Sequence, residues 1–309
     1  MASEKRRWWP VVLAVLAVVL LGGYGWLFFT SPAPEGEWSL DLAELRRLAG
    51  SMPDDKPTQI RIEEVAQFQF PNAVTRTGDG WGMHPMSVYS YQLVFRTQTA
   101  IIDAALTKTD LPGGSLKADA VARVAKGLSD ASLIVITHEH IDHIEGLLTH
   151  PDVAKVLKVA KLNLEQTQHP ELHEPSVFPA GVSLETIQYD RMVAVLPGVV
   201  LVRAPGHTPG SQLVFVQRAD GEEVLFLGDV AWLMSNIEAI QGRPRLAHVL
   251  MNENSAGVMR QLEQLNQFSH ANPSIRIVPG HDRAHIDSLT ERGVFVRQFT
   301  AASAAAPQE

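Results

Sequence analysis

Thr137-His138-Glu139-His140-Ile141-Asp142-His143 follows directly on the apolar run Leu133-Ile134-Val135-Ile136. Three imidazoles and a carboxylate, those of His138, His140, Asp142 and His143, fall within six positions at the exit of what should be a buried strand. Imidazole and carboxylate together suit zinc or a similar borderline cation. Side chains of an extended segment alternate with period two, so His138 and His140 point the same way and can chelate a single ion. The helix suggested by Ile144-Glu145-Gly146-Leu147-Leu148 swings Asp142 and His143 onto a neighbouring position. The spacing predicts two metals rather than one.

H-x-H-x-D-H after an apolar strand resembles the metallo-β-lactamase superfamily, and further motifs follow in that family's order. Ala204-Pro205-Gly206-His207-Thr208-Pro209-Gly210-Ser211 is similar to its P-G-H-T-x-G turn. Leu227-Gly228-Asp229 ends the apolar run Val224–Leu227, and Val278-Pro279-Gly280-His281-Asp282 ends the segment Ile275-Arg276-Ile277. The resemblance covers roughly residues 57 to 295. It implies that His138, His140 and His207 hold a first metal, that Asp142, His143 and His281 hold a second, and that Asp229 touches both. It also implies an α/β fold, the αββα sandwich of two packed mixed sheets with outer helices. The cofactors so implied are two divalent cations, zinc with iron or manganese as the other options. Such a pair shares a hydroxide and stabilises developing charge. No cysteine or serine nucleophile is needed, and the chain has no cysteine.

The same resemblance narrows the reaction. β-Lactamases with a comparable triad lack the carboxylate at the position of Asp229, or use a cysteine there. Flavin-dependent di-iron relatives place a carboxylate where His140 stands. Hydrolases with a bridging aspartate remain: lactonases, thioesterases, sulfatases and phosphodiesterases. The P-G-H-T-P-G turn and the G-H-D ending are most similar to acyl-homoserine lactone lactonases and related ester hydrolases. Those enzymes often carry a tyrosine three residues beyond the bridging Asp, where this chain has Trp232. An indole N–H can donate a hydrogen bond. His84, in Gly82-Met83-His84-Pro85, lies in a Gly-rich aromatic loop, Trp81 to Tyr91, where this family often builds a wall of its cleft. Trp232 and His84 are therefore the candidate substrate contacts, and Asp142 is the candidate catalytic proton shuttle. The expected function is a dinuclear hydrolase using a metal-bridging hydroxide on a small lactone or carboxylic ester. A phosphodiesterase or thioesterase of the same fold, or a non-catalytic metal-binding membrane protein, are the alternatives. Among the other histidines, His150, His169, His173, His248 and His270 read as solvated, and Asp282-Arg283 reads as a surface turn before His285.

Trp8 to Phe29 holds 22 residues without a charge, and Pro10 suits a first helical turn. About 20 apolar residues span a hydrocarbon core. Lys5, Arg6 and Arg7 precede the span while Glu35, Glu37 and Asp41 follow, so the basic segment 1–7 stays cytoplasmic and the remainder is sent outward. Trp8, Trp9, Tyr24 and Trp26 read as interfacial anchors. The competing view is a cleaved signal peptide and a secreted enzyme. Its nearest cleavage site, Ser31-Pro32-Ala33, is followed by Pro34, which is poorly tolerated there. Of 26 Lys and Arg and 34 Asp and Glu, only Glu4, Lys5, Arg6 and Arg7 precede residue 31, so the rest carries 23 against 33, a net of −10. Such a surface does not attract nucleic acid phosphates. The expected partners are a small molecule and, through the N-terminal helix, a membrane.

Residues 30–56 read as a Pro-rich tether with a short amphipathic helix over Leu40–Leu48, and 57–300 as the metallo-hydrolase domain. Strands are predicted at Gln59–Val65, Val88–Phe95, Thr99–Ile102, Leu133–Ile136, Val199–Val202, Gln212–Val216, Val224–Leu227 and Ile275–Val278. Helices are predicted at Ala118–Leu128, after His150-Pro151-Asp152, and at Ala256–Phe268. Pro170 to Pro179 reads as a looser stretch and 301–309 as a frayed tail.

Overall fold

The computed structural model describes residues 8–108, 113–168 and 185–300. The basic segment 1–7, the stretch Pro170–Pro179 with His169 and His173, and the tail 301–309 lie outside the described residues. The strands are β1 Gln59–Pro71, β2 Met83–Val94, β3 Thr99–Ile102, β4 Ser115–Leu116, β5 Leu133–Val135 and β6 Met192–Leu196. After them come β7 Val199–Arg203, β8 Gln212–Gln217, β9 Glu223–Phe226, β10 Arg276–Val278 and β11 Val296–Arg297. One sheet runs β11-β1-β2-β3-β5 with β4 on β1, and the other β10-β9-β8-β7-β6. Both are mixed: β1 pairs with β11, β3 with β5 and β9 with β10 in parallel, and the remaining pairs are antiparallel.

Side-chain alternation explains the layers. Leu133 and Val135 join Ile62, Tyr91, Val214 and Phe226 in the core between the two sheets. Ile134 and Ile136 face the other way, toward Val124, Leu128, Ile144 and Leu147 of the helices Ala118–Asp130 and Ile141–Leu148. In the second sheet Leu213, Phe215 and Leu225 pack against Leu262 and Leu265 of the helix Ser255–Ala271. Strands covered on both faces read as unbroken apolar runs, as these do. Each fully buried aliphatic or aromatic side chain contributes about 1.5–3 kcal/mol, so the two sheet faces hold the ends of their strands firmly. The architecture is the αββα sandwich.

The structure departs from the sequence reading in several places. β1 continues through a bulge at Glu64–Ala66 as far as Pro71, and the supposed loop Trp81–Tyr91 is mostly strand β2, which pairs Phe70 with His84 and Phe68 with Met86. Pro85 is tolerated because β3 pairs only with Tyr91–Val94, so that among the described residues β1 is the one strand that Pro85 pairs with. β6 and the helix Arg245–Met251 had no sequence expectation. His150 is buried rather than solvated, with its Nε2 3.0 Å from both Ser129 Oγ and Ala125 O. Asp282 opens the helix Arg283–Glu291 instead of a surface turn, capping it by accepting from His285 N at 3.0 Å.

The helix Leu42–Ala49 starts where Asp41 accepts from Ala43 N and Glu44 N, and it buries Leu45 and Ala49 against the second sheet. Trp9–Phe29 forms one exposed apolar helix. At 1.5 Å per residue it is about 31 Å long, the thickness of a hydrocarbon core.

Candidate metal centre

Three strand ends and one turn bring the motif residues together. β5 delivers the His138–His143 segment, in which His140 sits immediately before the helix Ile141–Leu148. β9 and β10 are parallel with Phe226 opposite Val278, so Asp229 and His281, each three residues further on, emerge side by side. Gly228, at φ +51°, and Gly280 permit this approach: a Cβ on the first would meet the Thr137 side chain, and one on the second Asp229 Oδ1. His207 comes from the turn between β7 and β8. Glu139, the middle residue of His-Glu-His, holds that turn by accepting from Gly210 N at 3.0 Å and from Thr208 Oγ1 at 2.8 Å.

Two groups of donors result. His138 Nε2 lies 3.2 Å from His140 Nδ1, and His207 Nε2 lies 2.9 Å from the same atom. Asp229 Oδ2 stands 3.7 Å from His138 Nε2 and 3.5 Å from His207 Nε2. The other Asp229 oxygen, Oδ1, stands 3.4 Å from His143 Nε2 and 3.1 Å from His281 Nε2. Asp142 Oδ2 completes this second group, 3.5 Å from His281 Nε2 and 3.7 Å from His143 Nε2. A tetrahedral ion with ligands at about 2.0–2.1 Å sets its donors about 3.4 Å apart. The spacings suit that, and Asp229 has one oxygen for each group. Two buried atoms, His143 Nε2 and Asp229 Oδ1, have no hydrogen-bond partner. Such atoms are costly to bury unless something pairs with them. The donor set therefore fits two cations.

The family model of the metallo-beta-lactamase superfamily matches residues 84–281, well over half of the chain. The chain belongs to the metallo-β-lactamase superfamily. An N-acyl homoserine lactonase from Bacillus sp is 27% identical over 143 residues, 42% of this chain and 56% of that protein. The lactonase AiiA of Bacillus thuringiensis subsp. kurstaki is 28% identical over 118 residues, 38% of this chain and 45% of that protein. The chain thus spans about half the length of the curated relatives it matches. The crystal structure of a quorum-quenching N-acyl homoserine lactone lactonase superposes with a TM-score of 0.57 at 19% identity, covering 76% of this chain and 97% of that one. An N-acyl homoserine lactone hydrolase with the product N-hexanoyl-L-homoserine at its catalytic metal centre gives 0.58 at 16% identity, covering 75% and 96%. At these identities the likeness to solved structures is one of fold.

In this member of the metallo-β-lactamase superfamily, buried groups outside the motifs orient the imidazoles. His143 Nδ1 donates to Asp103 Oδ2 at 2.8 Å, His281 Nδ1 to Ser87 O at 3.0 Å, and His207 Nδ1 to Glu253 Oε2 at 2.9 Å. Placing the proton on Nδ1 leaves Nε2 as the free lone pair in each ring. Asp103 is itself held by Thr137 N at 2.6 Å and Thr137 Oγ1 at 2.8 Å. Glu253 is paired with buried Arg243, whose guanidinium lies 4.9 Å over the Trp232 ring. Trp232 Nε1 donates to Asp229 Oδ2 at 2.6 Å. Sequence reasoning missed Asp103, Glu139, Arg243 and Glu253 as supports. Asp103 and Glu139 adjoin apolar strand runs, which was a usable signal; Arg243 and Glu253 carry none.

The electrostatics follow from burial against charge. Burial pushes His138 well below its ordinary range, with His143 adding to the effect. Burial also pushes His140 down to about 4, with His207 next to it contributing. Burial opposes charge on His143 too, but Asp142, Asp103 and Asp229 outweigh it and hold that ring well above its usual value. His281 is likewise held up against burial by Asp229 and Asp142. Asp229 stays well below the carboxylate range despite its burial, because His281, His138 and His143 surround it. Cation binding at such a centre displaces protons.

Burial opposes ionisation of Glu253, yet Arg243 and His207 bring its carboxyl from 4.5 down to about 2. A folded value below the unfolded one stabilises fully above the unfolded pKa and is lost as pH falls through the folded one. On the order of 3 kcal/mol should therefore disappear from the metal-free protein between about pH 5 and pH 2. Glu253→Gln should flatten that part of the slope, because the titrating group is gone. Urea unfolding at neutral and acid pH measures it. An unchanged slope in the variant would show that this carboxylate is not the linked group.

A cavity of about 440 Å³ opens over the donors, lined by Phe68, Phe70, Met86, Leu106, Trp232 and Met251 above His140, Asp142, Asp229 and His281. Lys108 and Glu145 stand on the same wall. His84 sits on β2 opposite Phe70, half-buried, and is not part of the lining. A larger cleft of about 670 Å³ lies by Trp38, Arg191, Arg203 and Arg260, but no group of metal donors converges there among the described residues.

Proposed function

We propose that the protein is a metal-dependent hydrolase of an uncharged acyl substrate, a lactone or carboxylic ester, with His138, His140, Asp142, His143, His207, Asp229 and His281 as its ligands. The observation that carries this is the wall of the 440 Å³ cavity, aromatic and aliphatic except for Lys108, Glu145 and the donors themselves. Its size is that of a small-molecule site. A phosphodiester would bring a negative charge against an apolar wall in which, apart from the imidazoles and the cations they would hold, Lys108 is the one cationic side chain among the described residues. Similarity to proteins described as N-acyl homoserine lactonases supports the lactone over an open ester.

Bound divalent cations supply hydroxide at neutral pH and polarise the carbonyl oxygen. The chain's own residues do the rest. Asp229 would help to hold both cations, since it presents one oxygen to each imidazole group. Asp142, a fifth exposed and reaching the cavity, accepts a proton from the attacking water at the carboxylate oxygen not given to the donor group and returns it to the departing alkoxide oxygen. Trp232 leaves its N–H on Asp229 and closes the cavity as an apolar wall, stacked edge-on with Phe70 at 5.7 Å. Asp103, Ser87 and Glu253 keep the imidazoles turned. For the helix Trp9–Phe29 we favour an uncleaved anchor with the domain outside the cytoplasm, supported by Lys5, Arg6 and Arg7 before it.

The full chain, purified with metal, is to be assayed on a five-membered lactone, an aryl ester, a thioester and a bis-aryl phosphodiester. Lactone or ester should exceed the phosphodiester in kcat/KM by about a hundredfold or more, a gap of roughly 2.7 kcal/mol in transition-state binding. The reverse order would transfer the site to phosphodiesters.

A further inference from the structure

We propose that the cavity is seated on a lipid bilayer and draws its substrate from it, so that the substrate carries a long alkyl chain. The chemistry rests on the hydrolase reading above, whereas the membrane seat rests on separate observations.

The end of the apolar helix does not hang free. Trp81 Nε1 donates to Tyr24 Oη at 2.7 Å, and the Trp81 and Phe28 rings lie 5.1 Å apart. Gly78 N donates to Phe28 O at 3.2 Å. Arg245 places its guanidinium 5.0 Å over Trp26 and donates to Thr30 Oγ1 at 2.9 Å. The chain beyond is pinned too, with Ser31 Oγ 2.7 Å from Thr77 Oγ1 and Glu35 N donating to Ala256 O. The helix therefore leaves the domain at a defined place, between the turn 76–82 and the helix Arg245–Met251.

Those same two elements wall the cavity. The β1–β2 ribbon, whose tip carries Trp81, contributes Phe70 and Met86, and the helix Arg245–Met251 ends in Met251. Seven large apolar side chains after residue 29 are exposed among the described residues, and five of them lie here. Trp81 and Met83 are on the ribbon tip, Val249 and Leu250 on the helix, and Ile141 at the cavity. Leu250 is 74% exposed and adjoins Met251. Clustering of this kind marks a contact surface rather than the scatter of an ordinary exterior.

The occupant follows from the neighbouring helix. Its length of about 31 Å fits a hydrocarbon core, so one bilayer surface falls at the end that holds Tyr24 and Trp26. Trp81, Met83, Val249 and Leu250 flank that end and enter the boundary between headgroups and acyl chains, as interfacial apolar residues do. An alkyl chain can then pass from lipid between Phe70 and Met251 while its carbonyl reaches the donors.

The full chain, reconstituted in phosphatidylcholine–phosphatidylglycerol vesicles, provides the test. It has no cysteine, so Leu250→Cys takes a single environment-sensitive fluorophore. Doxyl-labelled lipid should quench roughly half of its emission, because an interfacial apolar face lies about 5–10 Å into the headgroup–acyl boundary. Quenching by aqueous iodide alone overturns the seat, whatever the enzyme hydrolyses. In parallel, Val249→Glu with Leu250→Glu should keep turnover of a water-soluble short-chain ester within about twofold. Hydrolysis of a long-chain ester embedded in the vesicles should fall about tenfold, since the apolar contact is gone. Equal losses on both esters, or none on either, overturn the substrate route. If the native chain hydrolyses neither ester, the hydrolase reading and the route fall together, and the fluorophore still decides the seat.

Discussion

Asp142→Asn should lower kcat by about three orders of magnitude, the scale of a lost general acid–base group. The protein should keep most of its metal. The two side chains have the same shape, and Asp142 stands in the first turn of the helix Ile141–Leu148 with a fifth of its side chain exposed. Folding therefore gives no reason for a large effect. The amide oxygen can still face His143 Nε2 and His281 Nε2, which lie 3.7 and 3.5 Å from the native carboxylate. What asparagine cannot do is take a proton. Elemental analysis alongside steady-state kinetics separates the two roles. A variant that keeps near-native turnover removes Asp142 from the proton path, and one that loses metal in step with activity makes it a ligand only.

Asp229→Ala should act on both donor groups at once. The carboxylate is buried, and its oxygens face His138 and His207 on one side and His143 and His281 on the other. Alanine leaves four imidazoles without the charge that links them, and leaves Trp232 Nε1 without its acceptor. Metal content should fall from two equivalents to one or fewer, and kcat/KM by at least about a thousandfold, since bridging positions both cations. Elemental analysis after gel filtration reads the first and the ester assay the second. Two tightly held equivalents in the variant would mean that Asp229 does not bridge. The contrast with Asp142→Asn is informative because one substitution affects protons and the other the ions.

Comparison of these two residues also shows how far local signals reach. Asp142 stands within a seven-residue motif whose spacing alone places two imidazoles on one side of a strand exit. Asp229 is 91 positions from His138 and belongs to the other sheet, yet each follows an apolar run, and strand ends along one edge of the two packed sheets are where such groups meet. His84 shows the opposite case. Gly80, Gly82 and Pro85 suggested a loop, whereas pairing with the Phe68-Gln69-Phe70 segment made a strand of it. Cross-strand pairing prevailed over composition because Phe68 and Met86 find apolar cover there.

Periodicity among neighbouring residues pointed to the strands and the apolar N-terminal helix, and the motif order, through its resemblance to the family, implied the two-sheet sandwich and the seven candidate ligands. Tertiary structure alone chose their supports. Asp103 reaches His143 across 40 positions and Glu253 reaches His207 across 46. A single buried acid has no period or motif to announce it, and its partner is whichever ring the packed chain brings within about 3 Å. The same holds for Trp81 against Tyr24, where a hydrogen bond spanning 57 positions sets the point at which the apolar helix leaves the domain.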